Sequence, residues 1–174
     1  MDRFVRGLLR GQGGGPMRIL GIDPGVTTGW CLYDSPRARV IRAGEFPGHQ
    51  FPEPVEWLAE VDVAVIERPK GYGPTRPQIV DCGYVAGRIV GELRQFEAVR
   101  ELTRMEVCKA LTDAMLGEIR CRNDATVWAA LLHLHGGEMA AKKGGPLHGV
   151  KAHARAALAV AFVWGLEARQ TAQV

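Results

Sequence analysis

Two acidic residues close short apolar strands in this sequence, and their surroundings suit metal chemistry. Arg18-Ile19-Leu20-Gly21-Ile22-Asp23 runs into Pro24-Gly25, and Val61-Asp62-Val63-Ala64-Val65-Ile66-Glu67 is stopped by Arg68-Pro69. Pro-Gly turns the chain and leaves the Asp23 carboxylate at the strand's edge. Glu67 is appended to a buried strand, where a carboxylate is costly to desolvate unless it meets a cation or sits at an exposed mouth. If the two strands are parallel neighbours, both carboxylates lie at one end of the sheet and can share a divalent ion such as Mg²⁺, which favours oxygen ligands. An Asp before Pro-Gly also serves as a turn initiator that bonds its own backbone. It is the second carboxylate that moves the balance toward a metal.

Just past Arg68-Pro69 comes Lys70-Gly71-Tyr72-Gly73-Pro74-Thr75-Arg76, two basic residues and an aromatic on a glycine-flanked tip. Such a segment can contact phosphates through Lys70 and Arg76 and stack Tyr72 on an unpaired base; a tyrosine covering its own loop is the plainer alternative. His148, Lys151 and Arg155 gather with His153 near the start of the last helix, as a phosphate-binding group or as a solvated basic face. His133 and His135 are two apart on a helix, point to different sides and form no metal pair. Cys31, Cys82, Cys108 and Cys121 are widely spaced without a CxxC, which argues against a zinc ribbon or disulfide framework and for small core residues in a reducing cytosol.

These groups must be positioned by one modest domain. At 174 residues, 47% hydrophobic and 24% charged, the chain fits a single core, and its net charge of +3 permits a nucleic-acid partner without requiring one. Residues 1–16 end in Gly11-Gln12-Gly13-Gly14-Gly15-Pro16 and read as a flexible arm, with the folded unit over 17–174. No apolar run approaches a membrane span and the start lacks a signal-peptide core, so a cytoplasmic protein with no membrane partner is expected.

After the first strand, Gly29–Tyr33 and Ala38–Gly44 form an antiparallel meander with a turn at Ser35-Pro36. A short helix is expected over Pro52–Glu60, the strand Val61–Glu67, a helix over Gln78–Phe96, a strand Ala98–Leu102 and a helix Arg104–Met115. Two amphipathic helices close the chain, one through Val127, Ala130, Leu131 and Leu134, the other from Val150 through Phe162, with a loop Gly136–Pro146 between them. The fold class is α/β: a mixed sheet, the three-strand meander plus parallel strands, with helices on both faces.

Ile19-Leu20-Gly21-Ile22-Asp23-Pro24-Gly25 resembles the opening strand of the RuvC family of Holliday-junction resolvases, and Val65-Ile66-Glu67 resembles its second acidic strand. Glu106-Val107-Cys108-Lys109-Ala110-Leu111 is similar to the family's helix after the fifth strand, and His153-Ala154-Arg155-Ala156-Ala157-Leu158-Ala159-Val160-Ala161 to its closing helix, so the resemblance covers about residues 17 to 165. It implies an RNase H-like homodimer that hydrolyses phosphodiesters of a four-way DNA junction with two Mg²⁺ or Mn²⁺ ions per active site. Asp23 and Glu67 take the first two ligand positions. The family's last helix carries two further acidic or His ligands three residues apart, a spacing that puts both on one helix face; here these are His153, which can ligate, and Ala156, which cannot.

Ala156 therefore implies a degenerate copy or an inactivating substitution, and the expected chain is a resolvase disabled at its fourth ligand. The resemblance also implies Tyr72 as a junction wedge and Gly83, Ala86, Gly87, Val90 and Gly91 as a dimer seam. Asn123-Asp124 departs from the family, which tends to place lysine and glutamine there, and one of the pair caps a helix instead. Divergence from common bacterial forms inclines the reading toward a phage origin.

Three other classes compete. Gly21–Gly29 also resembles the first phosphate loop of sugar kinases and actin-like ATPases, which need a second lobe for which this chain lacks the length. A catalytically silent junction-binding protein is the reading if Asp23, Glu67 and His153 cannot hold both ions. Another RNase H-like nuclease would share every carboxylate argument, and only its substrate would differ.

Overall fold

Strand pairing decides whether the two carboxylates meet, and it brings them to the same sheet end. The computed structural model describes residues 17–48, 60–69, 77–93 and 99–172. Its strands are β1 (Arg18–Asp23), β2 (Thr27–Asp34), β3 (Arg39–Pro47), β4 (Val63–Arg68) and β5 (Val99–Thr103), in the spatial order β3-β2-β1-β4-β5. β1, β2 and β3 pair antiparallel, whereas β1 with β4 and β4 with β5 pair parallel. Ile22 of β1 lies opposite Ile66 of β4, so Asp23 and Glu67 follow one residue later on adjacent parallel strands.

The helices are α1 (Pro77–Glu92), α2 (Arg104–Ala114), α3 (Asp124–Leu134) and α4 (Ala154–Ala172), with a single 3-10 turn at Glu138–Ala141 inside the expected loop. Because strand side chains alternate between faces, the sheet makes two cores. Leu20, Ile22, Leu32, Ala64 and Ile66 pack with Val85 and Ile89 of α1 and with Leu93. Ile19, Cys31, Tyr33, Val63 and Val65 pack on the opposite side with Val107 and Leu111 of α2, Val127 and Leu131 of α3, and Leu158 and Phe162 of α4. Helices thus cover both faces. Ile22 and Ile66 point toward α1, so Asp23 and Glu67 point toward α2, α3 and α4.

Several boundaries differ from expectation for local reasons. The last helix begins at Ala154 rather than Val150, because Gly149 (φ 86°) and Ala152 (φ 37°) adopt left-handed backbone that interrupts a right-handed helix. β4 extends through Arg68, which finds a ladder partner in Thr103 of β5. The helix expected over Pro52–Glu60 lies, Glu60 apart, outside the described residues, as does the arm 1–16. The expected seam of small residues on α1 is split: Gly83, Gly87 and Gly91 face open space, while Ala86 and Val90 pack against the sheet. The four cysteines are free, and Cys31 and Cys121 are buried. His135 packs among Tyr33 and Phe162, with ring centroids 6.1 and 5.2 Å away, and its ring meets the Leu131 carbonyl at 2.8 Å; His133 is exposed.

Two glycines let α4 lie directly on the sheet. A Cβ at Gly21 would stand 2.1 Å from the Ala157 carbonyl oxygen, and one at Gly29 would stand 2.3 Å from the His153 carbonyl. The alanine-rich face of α4, with Ala154, Ala157 and Ala161 buried, is the matching half of this close approach. Gly21→Ala or Gly29→Ala must push α4 outward against backbone atoms that cannot rotate away, and overpacking of this kind costs about 1–3 kcal/mol. Thermal denaturation followed by circular dichroism should therefore report a midpoint lower by roughly 2–12 °C.

Candidate functional site

The edge where β1 and β4 end is enclosed by the first turns of three helices. Thr28, fully buried, holds the Asp23-Pro24-Gly25 turn: its hydroxyl accepts from the Gly25 amide at 3.3 Å and donates to the Gly25 carbonyl at 3.2 Å. Asp23 needs no turn-initiating bond of its own and presents its carboxylate to His153, whose Nδ1 lies 3.6 Å from Asp23 Oδ2. His153 is fixed from its backbone, where its amide donates to Glu45 Oε1 of β3 at 2.6 Å.

β5 runs straight into α2, with Thr103 and Glu106 forming a reciprocal capping box. Since Glu67 pairs with Leu102, the first residue of α2, Arg104, falls beside Glu67. Arg104 Nε is 3.4 Å from Glu67 Oε1, and Arg104 Nη2 pairs with Asp124 Oδ1. Asp124 is the first residue of α3, whose N-cap is Asn123 in a capping box with Thr126. With Asn123 as the cap, the Asp124 side chain is left for Arg104.

Asp23, Asp124, Ala152, His153, Arg155 and Ala156 help to line a pocket of about 340 Å³. Ala156 forms part of the wall and is buried. Arg155 stacks its guanidinium over the Trp128 ring, 4.5 Å from the centroid, so α3 and α4 share a cation–π contact at the pocket. Lys151 and His148 are exposed nearby in sequence. Lys70, Tyr72 and Arg76 lie outside the described residues.

Burial dominates the acid–base character of the two carboxylates. It raises Glu67 to about 7, against the lowering influence of Arg104 and with Asp23 and Asp124 adding to the rise. It raises Asp23 to about 6, while Arg104 and His153 pull down and Asp124 pushes up. Glu67 Oε2 is buried without a hydrogen-bond partner, as is Arg104 Nη1. A buried carboxylate oxygen left unpaired, beside a second carboxylate and an imidazole, is a donor set that fits a hard divalent cation. Among the described residues, however, no three His, Cys, Asp or Glu side chains close around a common point. Arg104 stands between Glu67 and Asp124 instead.

Of the residues expected from sequence, Asp23 and His153 are brought together and Ala156 shares their pocket, with Glu67 on the neighbouring strand. Arg104 and Asp124 were not foreseen. The signal for Asp124 was the doubled capping residue at 123–124, since only one of two neighbours can cap. That for Arg104 was its place just after a strand parallel to β4, which must end at the Glu67 edge.

No family model matches the chain, and no curated protein matches it in sequence. Its fold is similar to that of T. thermophilus RuvC in complex with Holliday junction substrate, at 16% identity and a TM-score of 0.58, over 90% of this chain and 97% of that one. A second Thermus thermophilus RuvC structure gives 16% identity and a TM-score of 0.59 over 90% and 98%. The yeast mitochondrial Holliday junction resolvase Ydc2 gives 13% identity and a TM-score of 0.55 over 99% and 88%. The fold is therefore of the RuvC, RNase H-like kind.

Proposed function

We propose that this chain is a structure-specific DNA endonuclease that resolves four-way junctions as a homodimer, with a metal site weakened at position 156. The observation that carries the reading is the convergence of Asp23 and Glu67 on adjacent parallel strands beside His153, within a fold similar to structures of junction resolvases. Asp23, Glu67 and His153 would hold Mg²⁺ or Mn²⁺, ions that clamp a scissile phosphate, activate the attacking water and neutralise the leaving oxygen.

The chain's own residues do the rest. Burial of the two carboxylates on the sheet edge excludes water from one side and strengthens their pull on a cation. Arg155, braced on Trp128, and Lys151 offer positive charge to backbone phosphates, and the exposed His148 imidazole offers a hydrogen bond; by residue type, Lys70 and Arg76 would add phosphate contacts and Tyr72 would be the wedge between bases. The outward face of α1, with Gly83 and Gly87 beside exposed Val80 and Tyr84, is the homodimer seam, and its twofold symmetry matches that of the junction.

The test compares a labelled mobile four-way junction with a linear duplex of the same sequence in Mg²⁺ or Mn²⁺. Symmetric nicks confined to the junction are expected, slow from this chain, whose position 156 supplies no ligand, and faster from Ala156→Asp. Equal treatment of the two substrates would sink the reading. A second reading, a junction-binding protein that does not cut, is favoured by Ala156 and by the guanidinium between two of the acids; it predicts tight junction binding with no nicks under any divalent ion.

A further inference from the structure

Arg104 holds an unusual position for a side chain in a site that would bind cations. It is two-thirds buried, it pairs with Glu67 through Nε and with Asp124 through Nη2, and its Nη1 is buried without an acceptor. Both of its carboxylate partners belong to the rim of the same acidic edge. The backbone of Arg104 and of Asp124 is held, each as the first residue of a helix with its own capping box, while the Asp124 side chain is largely exposed and the Glu67 side chain is buried. A guanidinium so placed occupies one oxygen of each carboxylate that a divalent ion would use, and its planar fork leaves the buried Nη1 amino group facing no protein acceptor. The acceptor that best fits a planar guanidinium edge is a phosphate or carboxylate oxygen.

We propose that Arg104 is a positioning residue that couples divalent-ion entry to nucleic-acid binding: alone, it ties Glu67 to Asp124 and competes with the ion, and a phosphodiester draws it off and frees both carboxylates. The inference rests on the reading of this pocket as a phosphodiester site. Asp124 becomes a carboxylate available to the ion from α3, in the same pocket where Ala156 offers no donor. Linkage requires the coupling to be reciprocal, so the ion must tighten nucleic-acid binding by the same factor by which nucleic acid tightens the ion.

The experiment measures Mn²⁺ binding to the full chain and to Arg104→Gln by the electron paramagnetic resonance of free Mn²⁺. Each protein is tested alone and with a phosphorothioate-protected four-way junction or linear duplex, with DNA-only controls subtracted. Without DNA, Arg104→Gln should bind Mn²⁺ about 5- to 150-fold more tightly than the unmodified chain, the range typical of coupled sites. Adding junction should tighten Mn²⁺ for the unmodified chain by a comparable factor and leave the variant nearly unchanged. A role confined to packing would not erase this DNA-dependent gain.

Equal Mn²⁺ affinity of the two proteins without DNA, or an equal gain with DNA, would overturn the proposal. If Arg104→Gln fails to fold, Arg104→Lys carries the test, because an ammonium keeps the charge but cannot bridge both carboxylates in one plane; it should give an intermediate Mn²⁺ affinity and a reduced gain, and wild-type values for both would count against the proposal. A junction preference in both proteins with no Mn²⁺ difference removes the Arg104 coupling and leaves the junction reading standing. Mn²⁺ differences and a DNA-dependent gain that is the same on junction and duplex do the reverse.

Discussion

Ala156→Asp raises divalent-dependent nicking of a four-way junction by on the order of 10²–10³-fold, the scale on which one preorganised polar group acts in a transition state. Ala156 sits in the first turn of α4, three residues after His153, which directly precedes the helix, and already forms part of the pocket wall shared with Asp23, Asp124 and His153. The aspartate therefore needs no movement of the helix to bring its oxygens into the pocket. Its position is only 6% exposed, and it adds a fourth acid to a site where Asp23, Glu67 and Asp124 already repel one another's charge. The apo variant should consequently be less stable than the unmodified chain by about 1–3 kcal/mol, the usual cost of a buried polar group without a partner, and Mg²⁺ should recover most of that loss. Cleavage of an end-labelled mobile junction, with thermal melts in EDTA and in Mg²⁺, measures both. Unchanged nicking together with an unchanged response to Mg²⁺ would show that α4 holds no ligand position at 156.

Glu67→Gln has the opposite sign in the two measurements: cleavage falls to background while the metal-free protein becomes more stable at pH 8. The folded-state pKa of Glu67 is raised to about 7 from an ordinary 4.5, chiefly by burial. Below the ordinary value, folded and unfolded chains both hold the proton and nothing is lost. Between about 4.5 and 7 the folded chain retains a proton that the unfolded chain has released, so stability declines as pH rises, and above 7 the penalty is constant. Glutamine cannot ionise. The stability difference between variant and unmodified chain should therefore open through this window and level off at on the order of 3 kcal/mol above it, roughly 6–12 °C in melting midpoint. Divalent ion should close the gap from the other side by stabilising only the unmodified chain. A variant that melts below the unmodified chain at pH 8 in EDTA would mean that the Glu67–Arg104 contact outweighs the desolvation of Glu67.

Much of this site could be read along the chain because its determinants are local. Pro24-Gly25 ends β1 at Asp23, Arg68-Pro69 ends the run that carries Glu67, and alternating side chains tell which strand residues share a face. The apolar spacing of Ala154, Ala157, Leu158, Ala161 and Phe162 likewise announced the closing helix, and Asn123-Asp124 announced a helix start. Each depends on backbone conformation within a few residues, where side-chain chemistry acts directly.

What tertiary structure alone decided is which ends meet. Parallel pairing of β1 with β4, and of β4 with β5, joins segments more than 30 residues apart whose sequences specify a buried strand but not its neighbour. That pairing placed Glu67 beside Asp23, delivered Arg104 to Glu67 from the end of β5, and with the packing of α3 brought Asp124 to the same guanidinium. The approach of α4 to Gly21 and Gly29, which sets His153 over Asp23, is likewise a match between two surfaces that neither segment contains. The sequence by itself determined the acids and the elements that carry them; the charge that stands among those acids, and hence how a metal would enter, was decided by long-range packing, because burial and ion pairing depend on what the rest of the chain brings alongside.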